Sequence, residues 1–344
     1  MSRQLLNTLY IMTQGAYASL DGDTVLVKAN GAKLLQAPLL HLGRIVLFGG
    51  SSISPPLMER CAEDGRDVVF LDFAGRFKAK VVGPVSGNVL LRKAQYEHSV
   101  SEEKALAIAR NIVAGKIRNA RGVLLRSARD SVNKESSDKI SEQSDIMADL
   151  LKALPECGTL DETRGVEGIA ASSYFSVFGE MITGEKSEFA FHLRTRRPPR
   201  DRVNALLSFL YSMLTNDCAG AVEGVGLDPQ FGFLHAIRPG RPALALDLME
   251  EFRACVADRL ALSLINRRQI QPDHFEERPG GSVLLNDAGR KIVITAYQKR
   301  KQEETVHPFL KEKIPMGLVP HLQARLLARC LRGDTPHYLP YIAR

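Results

Sequence analysis

The stretch Phe77–Glu97, FKAKVVGPVSGNVLLRKAQYE, contains the point at which the sequence changes from a strand pattern to a helix pattern. Phe77–Val82 is a short run rich in apolar residues, whereas Asn88–Glu97 carries its apolar residues at helical spacing. Glycine, proline and serine in Val82–Ser86 separate the two patterns and are typical of a linker. This stretch therefore predicts a boundary between two domains near Val82–Ser86.

Residues 1–84 are predicted to form a small antiparallel β domain, because short apolar runs alternate there with turn signals. Asn30-Gly31 is a typical two-residue hairpin turn. Pro55-Pro56 followed by Leu57–Glu63 predicts one short helix that begins at proline. The predicted strands are Leu9–Met12, Thr24–Ala29, Arg44–Phe48, Asp67–Phe73 and Phe77–Val82.

Residues 85–344 are predicted to form a larger, mostly α-helical catalytic domain, so the fold class is α+β. The one clear strand signal is a hairpin of Ser282–Leu285 with Lys291–Thr295 across Asn286–Arg290. The predicted helices are Asn88–Glu97, Ser101–Arg129, Asn204–Leu214, Leu246–Asn266 and Leu318–Leu331.

The composition is that of a folded globular protein, with 44% hydrophobic and 25% charged residues among 344. Its net charge of +7 is a mild excess, so any contact with nucleic acid must come from local clusters of charge. The five cysteines are scattered, which excludes a zinc knuckle or a disulfide framework. No apolar run approaches the roughly 20 residues that span a bilayer, and no signal-peptide core is present, so we expect a cytoplasmic protein without a membrane partner.

Three places along the chain concentrate reactive groups. Glu167 lies among small residues in Arg164–Tyr174, and His235 ends a loop that is rich in turn residues. Asp247 and Glu250 stand three residues apart on a predicted helix and therefore share one face. Taken singly, each has an ordinary alternative: a surface turn, a buried core histidine and a solvated helix face.

One histidine with two carboxylates suits a hard or borderline divalent cation such as Mg²⁺ or Mn²⁺. Pro239-Gly240-Arg241-Pro242 turns the chain between His235 and the acidic helix, so these groups can meet. An ion held there would act on a phosphoryl group, which is the chemistry of phosphodiester cleavage or transfer. The sequence therefore favours a nucleic-acid enzyme.

Positive charge for a DNA backbone is concentrated in Arg194–Arg202, RTRRPPRDR. Two prolines keep this stretch extended before the next predicted helix. Although basic clusters are often only solvated surfaces, five arginines within nine residues favour contact with phosphates. The predicted DNA-binding residues are Arg194, Arg196, Arg197, Arg200 and Arg202.

Five motifs, in the same order along the chain, resemble the CRISPR-associated adaptation endonuclease, the integrase subunit of spacer acquisition. The general resemblance is to the type I systems, of the I-C kind. The motifs cover nearly the whole chain: Asn88–Arg92, Phe191–Leu214, Gly226–His235, Leu246–Arg253 and Gln323–Arg329.

The resemblance implies a metal-dependent enzyme whose single ion is held by a glutamate, a histidine and a downstream acid. On this sequence the glutamate is Glu167 and the histidine is His235. The downstream acid is one of the two on the predicted helix, with Glu250 ranked first and Asp247 as an auxiliary acid.

The resemblance also implies the reaction and the partners. The 3′-hydroxyl of a prespacer DNA end would attack a phosphodiester at the junction of the CRISPR leader and repeat. Insertion at both repeat ends requires paired sites, which implies a homodimer bridged by a small ferredoxin-like CRISPR-associated partner. The β domain would then serve dimerisation and support of the DNA duplex.

Two alternatives remain from the residues themselves. The same groups could form a stand-alone, structure-specific repair nuclease that acts on branched DNA. The other alternative is a non-catalytic DNA-binding scaffold, in which the acids only balance the charge of the arginines.

Overall fold

A computed structural model describes residues 8–83, 89–184 and 186–343. The chain divides into two compact units, Met1–Gly87 and Asn88–Arg344. This division lies next to the predicted linker Val82–Ser86, of which residues 84–86 are outside the described part. Among the described residues, no helix combines the length and the apolar character that crossing a membrane requires.

The first unit contains eight strands, one α-helix and a short 3-10 helix, Leu39–His41, in its described residues. They are β1 (Thr8–Ile11), β2 (Tyr17–Asp21), β3 (Thr24–Ala29), β4 (Ala32–Pro38), β5 (Arg44–Phe48), β6 (Ser52–Ile53), α1 (Pro55–Glu63), β7 (Asp67–Leu71) and β8 (Phe77–Val81). These strands form two sheets, with orders β1-β5-β7-β8 and β4-β3-β2-β6. All five predicted strands and the predicted helix are confirmed, whereas β2, β4 and β6 went unpredicted.

The α+β class is confirmed. The prediction that the β domain is antiparallel is wrong for three of the six strand pairs in its described residues. The pairs β1–β5, β5–β7 and β2–β6 are parallel, and β2–β3, β3–β4 and β7–β8 are antiparallel. Turn signals predict pairing only between consecutive strands, while β1, β5 and β7 are connected through the other sheet and α1. The hairpin at Asn30-Gly31 is confirmed, since both residues have positive φ, 49° and 77°.

The second unit is mainly helical. Its elements are α2 (Val89–Val100), α3 (Glu102–Asp130), α4 (Lys134–Ala153), α5 (Leu160–Ser176), α6 (Arg202–Gly224), α7 (Ala243–Glu250), α8 (Arg259–Asn266), β9 (Phe275–Arg278), β10 (Ser282–Leu285), α9 (Asp287–Gln302), β11 (Glu304–Val306), β12 (Lys313–Pro315) and α10 (Val319–Leu331). The long helix α3 begins after Ser101, whose Oγ accepts the Lys104 backbone N–H. It packs against α2, α4, α5 and α7, so side chains from several helices meet around it.

The predicted single helix Leu246–Asn266 is wrong, because the structure interrupts it. After α7 the chain makes a turn at Glu251 and Phe252 and continues as a π-helical segment, Arg253–Asp258, before α8. The wider turns of a π-segment change the direction of neighbouring side chains, and such segments are frequent at functional sites.

The interruption separates two consecutive acids. Glu251 is fully buried and accepts hydrogen bonds from the Tyr338 hydroxyl, from the Tyr341 backbone N–H at 2.7 Å and from Gln323 Nε2 at 3.0 Å. Burial raises the pKa of the Glu251 carboxyl to about 8, against the opposing effect of these three donors. Glu251 thus anchors the C-terminal segment, while Glu250 stays available for the site described below.

The predicted hairpin of Ser282–Leu285 with Lys291–Thr295 is also wrong. Ser282–Leu285 is strand β10, but it pairs with the upstream strand β9. Lys291–Thr295 lies inside α9, because Asn286 caps that helix by accepting the Gly289 backbone N–H at 2.9 Å. The residues taken for a turn are therefore the first turn of a helix.

A buried glutamine on α2 fixes the loop that precedes α7. The Gln95 Nε2 donates to the backbone carbonyls of Asp228 at 2.7 Å and Phe231 at 2.8 Å, and its Oε1 accepts the Asp228 N–H at 2.8 Å. Gln95 has no exposed surface, so water cannot replace these bonds.

Replacing Gln95 by Ala should lower the free energy of unfolding of the helical unit by about 2–4 kcal/mol, because buried backbone groups lose their partners. Urea denaturation followed by far-ultraviolet circular dichroism measures this change. Lys93→Ala on the exposed face of α2 is the matched control and should stay within about 0.5 kcal/mol. Equal stability of the two variants would contradict the role given to Gln95.

Candidate active site

Helices α3, α5 and α7 and the loop before α7 bring four polar side chains together. The Lys116 ammonium on α3 is hydrogen-bonded to Glu167 Oε1 on α5 and lies 2.7 Å from Glu250 Oε2 on α7. His235 Nε2, from the loop, lies 3.8 Å from Glu250 Oε1. Two of the predicted ligands, Glu167 and Glu250, therefore contact one lysine that was not predicted, and the third, His235, faces Glu250.

Glu167 does not lie in a surface turn, because Gly165 and Gly168 are both inside α5. Within the helix its side chain is about one quarter exposed and faces Lys116.

The Asp247 carboxylate organises the loop that carries His235. Its Oδ2 accepts the backbone N–H groups of Phe233 at 2.5 Å and Leu234 at 3.0 Å. Its Oδ1 accepts the His235 backbone N–H at 2.9 Å and faces His235 Nδ1 at 2.7 Å. Gly232 permits this close approach, since a Cβ there would lie 2.6 Å from Asp247 Oδ2.

These bonds decide which nitrogen of His235 is available. A carboxylate can only accept, so Nδ1 donates its hydrogen to Asp247, and in the neutral ring the lone pair is therefore on Nε2. A carboxylate behind a metal-binding imidazole fixes the tautomer and the ring orientation in many metal sites. Both oxygens of Asp247 are used in holding the loop, whereas the carboxylate of Glu250 faces Nε2 and Lys116.

Glu250 is buried between two cations. Arg253 Nη1 lies 2.7 Å from its Oε1 and Lys116 Nζ 2.7 Å from its Oε2, and only about 2% of the side chain is exposed. Burial alone would raise the pKa of the Glu250 carboxyl, but Arg253 and Lys116 outweigh it and hold this pKa well below its usual range. Glu250 is therefore an anionic group in the site.

The aromatic ring of Tyr211 contacts Arg253 and helps to hold it in place. Its guanidinium lies 4.4 Å from the ring centroid of Tyr211, whose hydroxyl donates to Asp258 Oδ1 at 2.6 Å. Burial raises the pKa of Tyr211 and that of Asp258, the latter to about 6. The spacing of Glu250 and Arg253 along one helix could have signalled their ion pair, whereas Tyr211, although inside the motif Phe191–Leu214, was given no role.

Two of the predicted DNA-binding arginines, Arg194 and Arg202, pair with other side chains of the protein. Arg194 is largely buried and donates to Asn204 Oδ1 at 2.6 Å and Ser208 Oγ at 3.1 Å. Burial lowers the pKa of Arg194, though it leaves the group a cation. Arg202 pairs with Glu188 at 2.8 Å. These two side chains hold the basic segment in position.

The remaining arginines lie on the surface. Arg200 donates to the Gly280 carbonyl at 2.6 Å, whereas Arg196 and Arg197 are exposed and without an ion pair in the described part of the chain. Arg196 also lines a cleft next to Lys116, with an empty volume of about 420 Å³ including open solvent. Arg196 therefore adds positive charge to the cleft beside Lys116.

The donor set fits a divalent cation, although the described residues contain no cluster of three or more His, Cys, Asp and Glu side chains arranged to hold one. Glu250 Oε2 is buried and makes no well-directed hydrogen bond with any described residue, despite its short distance to Lys116 Nζ. The ammonium of Lys116 stands between two carboxylates where a cation is required electrostatically. Two carboxylates and an imidazole nitrogen are ligands that Mg²⁺ or Mn²⁺ accept.

Comparison with known proteins identifies the relatives of this arrangement. The family model of the CRISPR associated protein Cas1 matches residues 9–299. A CRISPR-associated endonuclease Cas1 from Moorella thermoacetica is 56% identical over 340 residues, 99% of each chain. A solved Cas1 protein from Thermotoga maritima has a TM-score of 0.81 at 25% identity, covering 95% of this chain and 97% of its own. A casposase bound to integration product shares the fold, with a TM-score of 0.82 at 23% identity over 96% and 91% of the two chains.

Proposed function

Because the chain belongs to the Cas1 family of CRISPR-associated endonucleases, we propose that it inserts prespacer DNA into a CRISPR array. The family resemblance read from the sequence motifs is thereby confirmed. The observation that supports the proposal is that Lys116 contacts both Glu167 and Glu250, while His235 Nε2 lies 3.8 Å from Glu250 Oε1. Family membership favours an enzyme over a non-catalytic scaffold.

Glu167, His235 and Glu250 would hold Mg²⁺ or Mn²⁺. When bound, such an ion supplies Lewis-acid stabilisation of the negative charge that develops on the phosphoryl oxygens. Glu250 is favoured over Asp247 as the third ligand, because Asp247 directs both its oxygens to the loop and to Nδ1 of His235. Asp247 is then a positioning residue for the imidazole.

The proposed reaction is a direct transesterification. The 3′-hydroxyl of the prespacer gives its proton to solvent and its oxygen forms a bond to the target phosphorus, while the bond to the 3′-oxygen of the cut strand breaks and that oxygen takes up a proton from solvent. Arg196 and Lys116 line the cleft on this side of the site and would hold the DNA backbone during transfer. With water in place of the prespacer hydroxyl, the same site would cleave DNA.

The proposed assembly is a homodimer that works with a small ferredoxin-like CRISPR-associated partner and double-stranded DNA. In the first unit, the outer strands β4 and β8 expose apolar side chains: Leu34 is 49% exposed, Leu35 41% and Phe77 53%. Exposed sheet edges with apolar residues favour association. This supports the proposed role of residues 1–84 in dimerisation and in support of the duplex.

The proposal is tested by an integration assay with a labelled prespacer, a plasmid that carries a leader and repeat, the small partner and Mg²⁺ or Mn²⁺. Glu167→Gln, His235→Gln and Glu250→Gln should each lower the rate of strand transfer about a hundredfold or more, because several kcal/mol of transition-state stabilisation are lost. Glu142→Gln, at an exposed acid on α4, is the control and should retain activity.

Wild-type rates in the three variants would contradict the site. Cleavage of branched DNA without any transfer into the repeat would instead favour the repair-nuclease alternative. Removal of the divalent ion by EDTA should abolish strand transfer by the wild-type protein.

The exposed arginines should dominate binding to DNA. Replacing Arg196 and Arg197 together by Ala should lower the magnitude of the slope of log K against log salt by up to about 1.8, because each lost phosphate contact on a duplex contributes about 0.9. Lys152→Ala, at an exposed lysine of α4 that pairs with Asp149, is the control and should leave the slope unchanged. A salt titration by fluorescence anisotropy measures both, and equal slopes in all three proteins would contradict the assignment.

A further inference from the structure

Lys116 occupies an unusual place for a lysine on a long helix. Its ammonium contacts Glu167 and Glu250 at once, and about 12% of its side chain is exposed. The two acids come from different helices, so the lysine bridges the elements that would supply two ligands of the ion.

We propose that Lys116 is an internal counter-ion that holds the metal position until a divalent cation displaces it. In this way it sets the affinity of the site for the ion. The inference rests on the proposed function, since it takes Glu167 and Glu250 to be ligands.

The charges of the site support this role. Glu167 and Glu250 carry two negative charges, and Lys116 and Arg253 carry two positive ones, so the four groups balance without a metal ion. Asp247 adds a further negative charge, but three backbone N–H groups stabilise it. With Asp247 counted, the five groups carry a net charge of −1, so a divalent ion added beside an undisplaced ammonium would leave an excess of one positive charge in a partly buried space, which is unfavourable.

Of the two cations, Lys116 is the one that can leave. Arg253 is fixed between Glu250 and the ring of Tyr211, where its guanidinium has both an ion pair and a cation–π contact. Lys116 has a flexible four-carbon stem, and it lines the cleft together with Arg196 and Arg253. Rotation of its side chain would bring the ammonium into this cleft.

A displaced ammonium in the cleft would face DNA phosphates. DNA would then stabilise the displaced position of Lys116 and tighten the binding of the ion, and by linkage the ion would tighten the binding of DNA. Lys116 thus couples occupancy by metal to the presence of the nucleic acid.

Binding of Mn²⁺, measured by electron paramagnetic resonance of the unbound ion, tests the inference. Without DNA, Lys116→Met and Lys116→Gln should each bind Mn²⁺ about tenfold or more tightly than the wild-type protein, because a competing charge is gone. Lys116→Arg should bind no more tightly than wild type. Lys104→Met, at an exposed position of the same helix, is the matched control and should leave the affinity unchanged.

Two further measurements distinguish this role of Lys116 from a merely structural one. A DNA duplex with single-stranded 3′ ends should tighten Mn²⁺ binding to the wild-type protein and have little effect on the two neutral variants. In EDTA the neutral variants should melt at lower temperature than wild type, because two acids lose their counter-ion, and Mn²⁺ should restore them. The Gln variant keeps hydrogen-bond donors and so provides a folded protein if the Met variant is unstable.

Unchanged or weaker binding of Mn²⁺ in both neutral variants would overturn the inference while leaving the metal site intact. Failure of every protein, wild type included, to bind Mn²⁺ with or without DNA would overturn the proposed metal site and the inference with it. Glu167→Gln distinguishes the site from unspecific binding, since it should weaken the affinity.

Discussion

The carboxylate of Asp247 is the interaction on which the geometry of the site depends. It is fully buried and collects three backbone N–H groups and the Nδ1 hydrogen of His235. A carboxylate without such donors would be costly to bury, so the loop and α7 stabilise each other. The loop is held again at its other end by Gln95, and Gly232 leaves the room that this approach requires.

The interruption after α7 gives the site its second property. A continuous helix would place Glu250 and Glu251 a fixed rotation apart, with no turn between the acids and Arg253. Across the turn and the π-helical segment, Arg253 pairs with Glu250 and contacts Tyr211, while Glu251 binds the C-terminal segment. The buried carboxylate of Glu250 is thereby kept ionised beside His235. A carboxylate and an imidazole nitrogen with a free lone pair are both ligands that a divalent cation accepts.

Much of this organisation could be predicted from the sequence, because it depends on local patterns. The periodic helices, the first-unit strands and the Asn30-Gly31 hairpin follow from spacing and turn chemistry. The motifs around His235 and Glu250 likewise gave candidate site residues that the fold brings together.

What could not be predicted depends on contacts distant in sequence. The parallel ladders join strands separated by other elements, and nothing local specifies such pairing. Lys116 looks like any lysine of a long amphipathic helix until packing places it opposite two acids. Likewise Tyr211 has no local mark, and Asn286 was taken for a turn because caps and turns share residue types.

The central claim is that Asp247 keeps the Nε2 of His235 free of hydrogen and directed at Glu250. Nitrogen NMR of protein labelled with ¹⁵N-histidine tests it most directly, with His235→Gln used to assign the signal among eight histidines. At a pH where the ring is neutral, we expect the His235 hydrogen on Nδ1, an unprotonated Nε2, and a shift of the Nε2 signal when Mg²⁺ is added. A hydrogen on Nε2, or an Nε2 signal indifferent to Mg²⁺, would contradict the account.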